Sequence, residues 1–153
     1  MGPPSMPSPS FAREPGSGRL RQLVGPAGCL KTPALDHPRD ESCTAVRGGF
    51  LGQGDSLAVS PDGRNLYAAH SSGVSTFARD PATSALTQLP GPAGCLIAQV
   101  TDTCGRGRGI RAATGVAVSA NGRRVYVSAF NSGAIAVFGR DPATGVLQQP
   151  GRA

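Results

Sequence analysis

The feature that most constrains this chain is internal repetition. Phe77-Ala78-Arg79-Asp80-Pro81-Ala82-Thr83 returns as Phe138-Gly139-Arg140-Asp141-Pro142-Ala143-Thr144, an offset of 61, and a degenerate third copy stands at Phe11-Ala12-Arg13-Glu14-Pro15. Upstream of this block, Leu57-Ala58-Val59-Ser60-Pro61-Asp62-Gly63-Arg64-Asn65-Leu66-Tyr67 aligns with Val116-Ala117-Val118-Ser119-Ala120-Asn121-Gly122-Arg123-Arg124-Val125-Tyr126. Downstream of the Phe11 and Phe77 copies, Gly25-Pro26-Ala27-Gly28-Cys29-Leu30 returns as Gly91-Pro92-Ala93-Gly94-Cys95-Leu96. Matches in three separated blocks define a unit of about 60 residues that must stack on copies of itself to bury its faces.

Each unit reads as four short strands. Strand A spans Leu57 to Ser60 and meets strand B, Asn65 to Ala69, across Asp62-Gly63, with Asn121-Gly122 at the same place in the next copy. Asp-Gly and Asn-Gly predict a tight type I′ hairpin. Strand C follows Ser72-Gly73 or Ser132-Gly133, at Val74 to Ala78 and Ala134 to Gly139. It ends at Asp80-Pro81 and Asp141-Pro142, where Pro presets a turn and the Asp side chain accepts a backbone hydrogen bond. Strand D is then Leu86 to Leu89 and Val146 to Gln149, and a ninth strand is expected near Leu20 to Leu23. Val125-Tyr126-Val127 and Ala134-Ile135-Ala136-Val137-Phe138 are almost continuously apolar, as in a sheet covered on both faces.

The expected class is therefore all-β, built from the four-stranded antiparallel blades of a β-propeller, with two full copies and one partial copy too few to close a ring. The divisions are a disordered Pro/Ser-rich leader at 1–10, a partial blade (strand D) with its linker at 11–56, a blade with linker at 57–115, and a blade at 116–153. Composition agrees. Gly and Pro together are 36 of 153 residues, which implies many turns, while 39% apolar residues is too many for a disordered chain.

The formal charge of +6 raises the question of nucleic acid. Lys31 is the only lysine among fifteen basic residues, and the Arg-Gly runs at Arg47-Gly48-Gly49-Phe50 and Arg106-Gly107-Arg108-Gly109 fall at equivalent linker positions with no run of aromatic stacking residues beside them. Nucleic-acid binding is not expected, and Gly52-Gln53-Gly54 is only a fragment of a phosphate-loop pattern. No stretch approaches the roughly 18 apolar residues of a membrane-spanning helix. The start, MGPPSMPSPS, has neither the basic nor the apolar region of a secretory signal.

The strings SPDGRNLYAA and NGRRVYVSAFNSGAIAVF resemble the YVTN-type repeats of seven-bladed propellers, the group that includes lactonase-like and carboxymuconate-cyclase-like proteins. The resemblance covers roughly Phe11 to Gln149 and implies the blade more firmly than any activity.

The cysteines fall one pair per repeat, Cys29 with Cys43 and Cys95 with Cys104, each within the segment between strand D of one blade and strand A of the next. This placement points to disulfides that staple the connecting loops, with a metal site and free thiols as the alternatives. A zinc site would call for close Cys pairs or repeated His; His37 between Cys29 and Cys43 has no counterpart between Cys95 and Cys104. Disulfides imply an extracellular or periplasmic parent protein. His70 is read as a solvent-facing residue in the loop between strands B and C, and Asn131 occupies the equivalent loop of the next blade; these two are the pocket candidates, and Asp55 is the one further polar residue besides scattered Arg that a lactonase pocket could draw on. No catalytic residue, cofactor or metal ligand is assigned. The expected role is a binding or structural scaffold that self-associates or completes a longer chain; the alternative is part of a lactonase-like hydrolase or a carboxymuconate-cyclase-like enzyme.

Overall fold

The computed structural model describes residues 8–32, 43–49, 56–99, 101 and 103–151. Within them the chain is all-β, a run of propeller-like blades laid side by side. The third unit is the plainest: β12 (Ala113–Val118), β13 (Arg124–Ala129), β14 (Ala134–Arg140) and β15 (Leu147–Gln148) form one antiparallel sheet in chain order. The second unit repeats it with β6 (Leu57–Val59), β7 (Asn65–His70), β8 (Gly73–Arg79) and β9 (Leu86–Gln88).

Strand D does not stop where turn residues place its end. Leu89 donates its backbone N–H to Thr76, the chain loops out as a 3-10 turn at Gly91–Gly94, and β10 (Cys95–Ile97) returns to pair with Gly73–Ser75 of the same strand C. β8 is seven residues long, so it can pair with two separate segments along one edge. β11 (Gly105–Arg106) then adds a parallel partner to β10.

The first unit has the same construction. β1 (Ser8–Pro9) and β2 (Phe11–Arg13) form a strand C, and β3 (Leu20–Gln22) and β4 (Cys29–Lys31) form a strand D broken by the 3-10 turn Gly25–Gly28, with β5 (Thr44–Ala45) parallel to β4. Two expectations change. Ser8 and Pro9, inside the stretch read as a disordered leader, pair with Leu30 and Cys29, so the partial blade has a strand C as well as a strand D. Cys29 and Cys95 open the second half of strand D instead of sitting in the linker beyond it.

The A-to-B connection is a hairpin, but not of type I′. Only Gly63 and Gly122 have positive φ, +70° and +68°, and their N–H groups donate to Ser60 and Ser119 in a turn that passes through Pro61-Asp62 and Ala120-Asn121. Pro61 holds φ near the negative value that the first central position of a type I turn requires, which leaves the left-handed residue to glycine. The Asp62 carboxylate accepts from Ser60 Oγ and Arg64 N, and Asn121 Oδ1 does the same with Ser119 and Arg123. The turns after strand C follow the expected pattern: Asp80 Oδ1 accepts from Ala82 N and Thr83 N at 2.8 Å, and Asp141 Oδ1 from Ala143 N at 2.9 Å.

Burial shows the stacking. Ala68 and Phe77 pack with Leu30 and Val46 of the first unit, while Tyr67, Ala69 and Val74 pack with Val125, Val127, Ala136 and Phe138 of the third. Alternate residues of β7 thus serve opposite neighbours, and the strand is buried along nearly its whole length. β13, of similar composition, alternates between exposed and buried because only one of its faces has a neighbour among the described residues.

Candidate functional site

Three features stand at the junctions between blades, and two of them are locks. In the first, Arg140, at the end of β14, reaches into the second blade. Its Nε donates to Tyr67 Oη at 2.8 Å, Nη2 to Asp62 Oδ2 at 2.8 Å and Asn65 Oδ1 at 2.7 Å, and Nη1 to the Gly122 carbonyl at 3.0 Å. The hydrogen bond from Ser60, joined by those from Arg140 and the Arg64 backbone, holds the Asp62 carboxyl at about 2 against the opposing effect of burial. Burial raises the Tyr67 phenol, whose hydroxyl donates to the Gly145 carbonyl.

The second lock lies at the outer rim. Arg47 N donates to Gln88 Oε1 at 2.8 Å and Gln88 Nε2 returns a bond to the Arg47 carbonyl at 2.9 Å; Arg108 and Gln149 repeat the exchange one blade on, both at 2.8 Å. The arginines of the Arg-Gly runs therefore fasten each linker to strand D of the following blade. The loops that carry them are stapled, since Cys29 is bonded to Cys43 and Cys95 to Cys104, with Cα separations of 4.8 and 5.0 Å. The Cys95–Cys104 bridge packs on the preceding linker so closely that a Cβ at Gly48 would fall 2.5 Å from Cys95 Cβ.

The third feature is a cavity of about 500 Å3 where the B–C turns and the linkers meet, between the second and third blades. Ser71 and Ser72, Gln99, Thr101, Arg111 and Asn131 give it polar walls, with Ile97 beneath. Its frame is backbone: Ala112 N donates to the Ser71 carbonyl, Phe130 N to the Ala112 carbonyl, and Arg111 N to Ser132 Oγ. The Arg111 guanidinium and the Asn131 amide are exposed and make no hydrogen bond or ion pair among the described residues. Sequence reasoning singled out Asn131; Arg111 was missed, because nothing in an exposed arginine between Ile110 and Ala112 marks it as a wall of a cavity.

His70 is not the solvent-facing loop residue expected. It is the last residue of β7 and fully buried. Ser72 N donates to Nδ1 at 3.3 Å, which leaves the proton on Nε2 to be donated to Ser75 Oγ at 3.1 Å. Burial lowers its pKa to about 4, so the ring is neutral at physiological pH. His70 shapes the Ser71–Ser72 wall from below and does not open onto it. His37 and Asp55 lie outside the described residues. Among the described residues no three His, Cys, Asp or Glu side chains converge as a metal site would require, and no helix is long and apolar enough to cross a membrane.

No protein-family model and no curated protein sequence matches the chain. Solved structures do. The periplasmic gluconolactonase of Pseudomonas aeruginosa superposes with a TM-score of 0.52 at 28% identity over 91% of this chain. A candidate 6-phosphogluconolactonase of Bacteroides fragilis gives a TM-score of 0.52 at 24% identity over 91% of this chain. The chain spans 31% of the length of each. It is thus similar in fold to lactonases, over about a third of their length.

Proposed function

We propose that this chain is a segment of a lactonase-like propeller, of the YVTN-type seven-bladed kind, whose parent hydrolyses a sugar lactone in the periplasm or outside the cell. The observation that carries the proposal is the likeness to the periplasmic gluconolactonase along 91% of the chain. The scaffold role draws no support from that likeness and is the weaker alternative. The two disulfides fit an oxidising compartment.

In this proposal the chain supplies binding groups, not a complete catalytic set. Lactone hydrolysis needs a base to activate water and a donor to stabilise the oxyanion. Arg111, Asn131, Ser71 and Ser72 offer donors for a carbonyl oxygen and sugar hydroxyls at the cavity mouth, whereas no carboxylate or imidazole among the described residues lines it. The base is assigned to other blades of the parent. The test is an NMR titration of the chain with D-glucono-1,5-lactone and with gluconate. Saturable shifts at Arg111, Asn131 and Ser71, lost in Arg111→Ala, are expected; shifts scattered over the surface or absent would favour the scaffold.

A further inference from the structure

Of the three side chains of the second blade that receive Arg140, only the tyrosine is repeated on the last blade, and the other two are replaced by donors. Asn121 stands where Asp62 stands, Arg124 where Asn65 stands, and Tyr126 where Tyr67 stands, and the strand registers agree, with Asn65 opposite Ala78 and Arg124 opposite Gly139. Asn121 Oδ1 is taken by Ser119 Oγ at 2.7 Å and Arg123 N at 3.1 Å, so the group left to face outward is its NH2 donor, where Asp62 presents a carboxylate oxygen. The amide oxygen of Asn65 is replaced by the Arg124 guanidinium, which among the described residues binds only the neighbouring Arg123 carbonyl. Beside these donors the apolar part of the face is open, with Tyr126 and Val137 each 40% exposed and Ile135 70%.

We propose that this face is an interaction surface for a blade that carries a carboxylate, not arginine, at the end of its third strand. A second copy of this chain has the right shape and the wrong charge. Its first unit presents Phe11, Arg13 and Gly18 in the places of Phe138, Arg140 and Gly145, with Arg13 opposite Leu20 as Arg140 is opposite Leu147. Phe11, 45% exposed, has the uncovered aromatic face for such a contact. Beside the retained Tyr126 hydroxyl, Arg13 would meet the Asn121 NH2 and the like-charged Arg124 guanidinium, two donors where Arg140 meets the Asp62 and Asn65 oxygens. Repulsion at this point disfavours head-to-tail rings of the chain and favours an acidic partner blade.

The charge swap can be tested on the full chain by sedimentation velocity at low salt. Arg13→Glu makes the second copy an acidic partner, and head-to-tail association about ten-fold or more tighter than that of the unaltered chain is expected. That gain should fade at high salt and vanish when Arg124→Glu is added to the same chain. The converse variant, Asn121→Asp with Arg124→Asn, rebuilds the acceptors of the second blade and should pair with the native Arg13; it decides the matter should Arg13→Glu not fold. Arg13→Glu chains that keep their strand circular dichroism and associate no better than the unaltered chain would overturn the proposal. So would association that survives Arg124→Glu, or unaltered chains that already pair through Arg13 and Arg124.

Discussion

Arg140 Nε lies 2.8 Å from Tyr67 Oη, 73 residues away in the chain, and the contact joins two blades at the only ion pair among the described residues, Arg140 with Asp62. The equivalent Arg79 has simpler company, the Gly63 carbonyl and Ser84 Oγ within its own blade. Arg140→Ala would leave the buried Asn65 amide oxygen without its donor and Tyr67 Oη with only its bond to Gly145, and is expected to cost about 2–4 kcal/mol in urea unfolding, against about 1 kcal/mol for Arg79→Ala. Tyr67→Phe in the Arg140→Ala background should cost less than in the native chain. Lysine at 140 should not restore the loss, because one ammonium cannot serve Tyr67, Asp62 and Asn65 together.

His70 predicts a pH dependence of stability. Its folded pKa of about 4 is below the ordinary 6.5, so between those values the unfolded chain holds a proton that the folded chain does not. Stability therefore falls as pH is lowered from 6.5 towards 4, with a slope of at most about 1.4 kcal/mol per pH unit, and the loss levels off below 4. A second loss follows below pH 3.8 as the Asp62 carboxylate, held at about 2, is protonated. Urea titrations from pH 7 to 3 should show the first slope and its disappearance in His70→Gln.

Each disulfide is expected to contribute about 2–3 kcal/mol. By loop length alone Cys29–Cys43, with a separation of 14, should matter more than Cys95–Cys104, with 9. Packing argues the other way, since Cys95 and Cys104 are fully buried against the linker at Gly48. Replacing Cys95 and Cys104 by Ala should lower the Tm at least as far as replacing Cys29 and Cys43, as read by differential scanning calorimetry under oxidising conditions.

Thr76, in the middle of β8, is buried with a hydroxyl that has no hydrogen-bond partner among the described residues. Thr76→Val keeps the β-branched shape and removes the unpaired group, so a gain of about 1 kcal/mol is expected in thermal or urea unfolding. A loss would show that the hydroxyl is paired in solution.

The blade was legible in the sequence because its signals are local. Turn residues such as Asp80-Pro81 and Gly63 act through the φ values they permit, so strands A to C appear within a residue or two of their expected ends. The disulfides were legible for the same reason: each bridge closes within one repeat. What lay beyond the sequence depends on contacts between repeats or along a shared strand edge. The Gly-Pro-Ala-Gly turn reads as linker until β8 is seen to pair with chain on both sides of it. A histidine between Ala69 and Ser71 looks exposed until the linker at Gly49 closes over it, where a Cβ would fall 2.3 Å from His70 Nδ1. Arg140 and Arg79 occupy the same motif, yet only Arg140 is bonded to side chains of an adjacent blade. The sequence by itself determined the repeating unit, its turns and its staples, since these follow from short-range sterics and covalent chemistry. Only the stacking of one blade on the next decided which polar groups are buried, which arginine is locked and which donors face outward, because burial and pairing are properties of surfaces brought together, not of the segments that carry them.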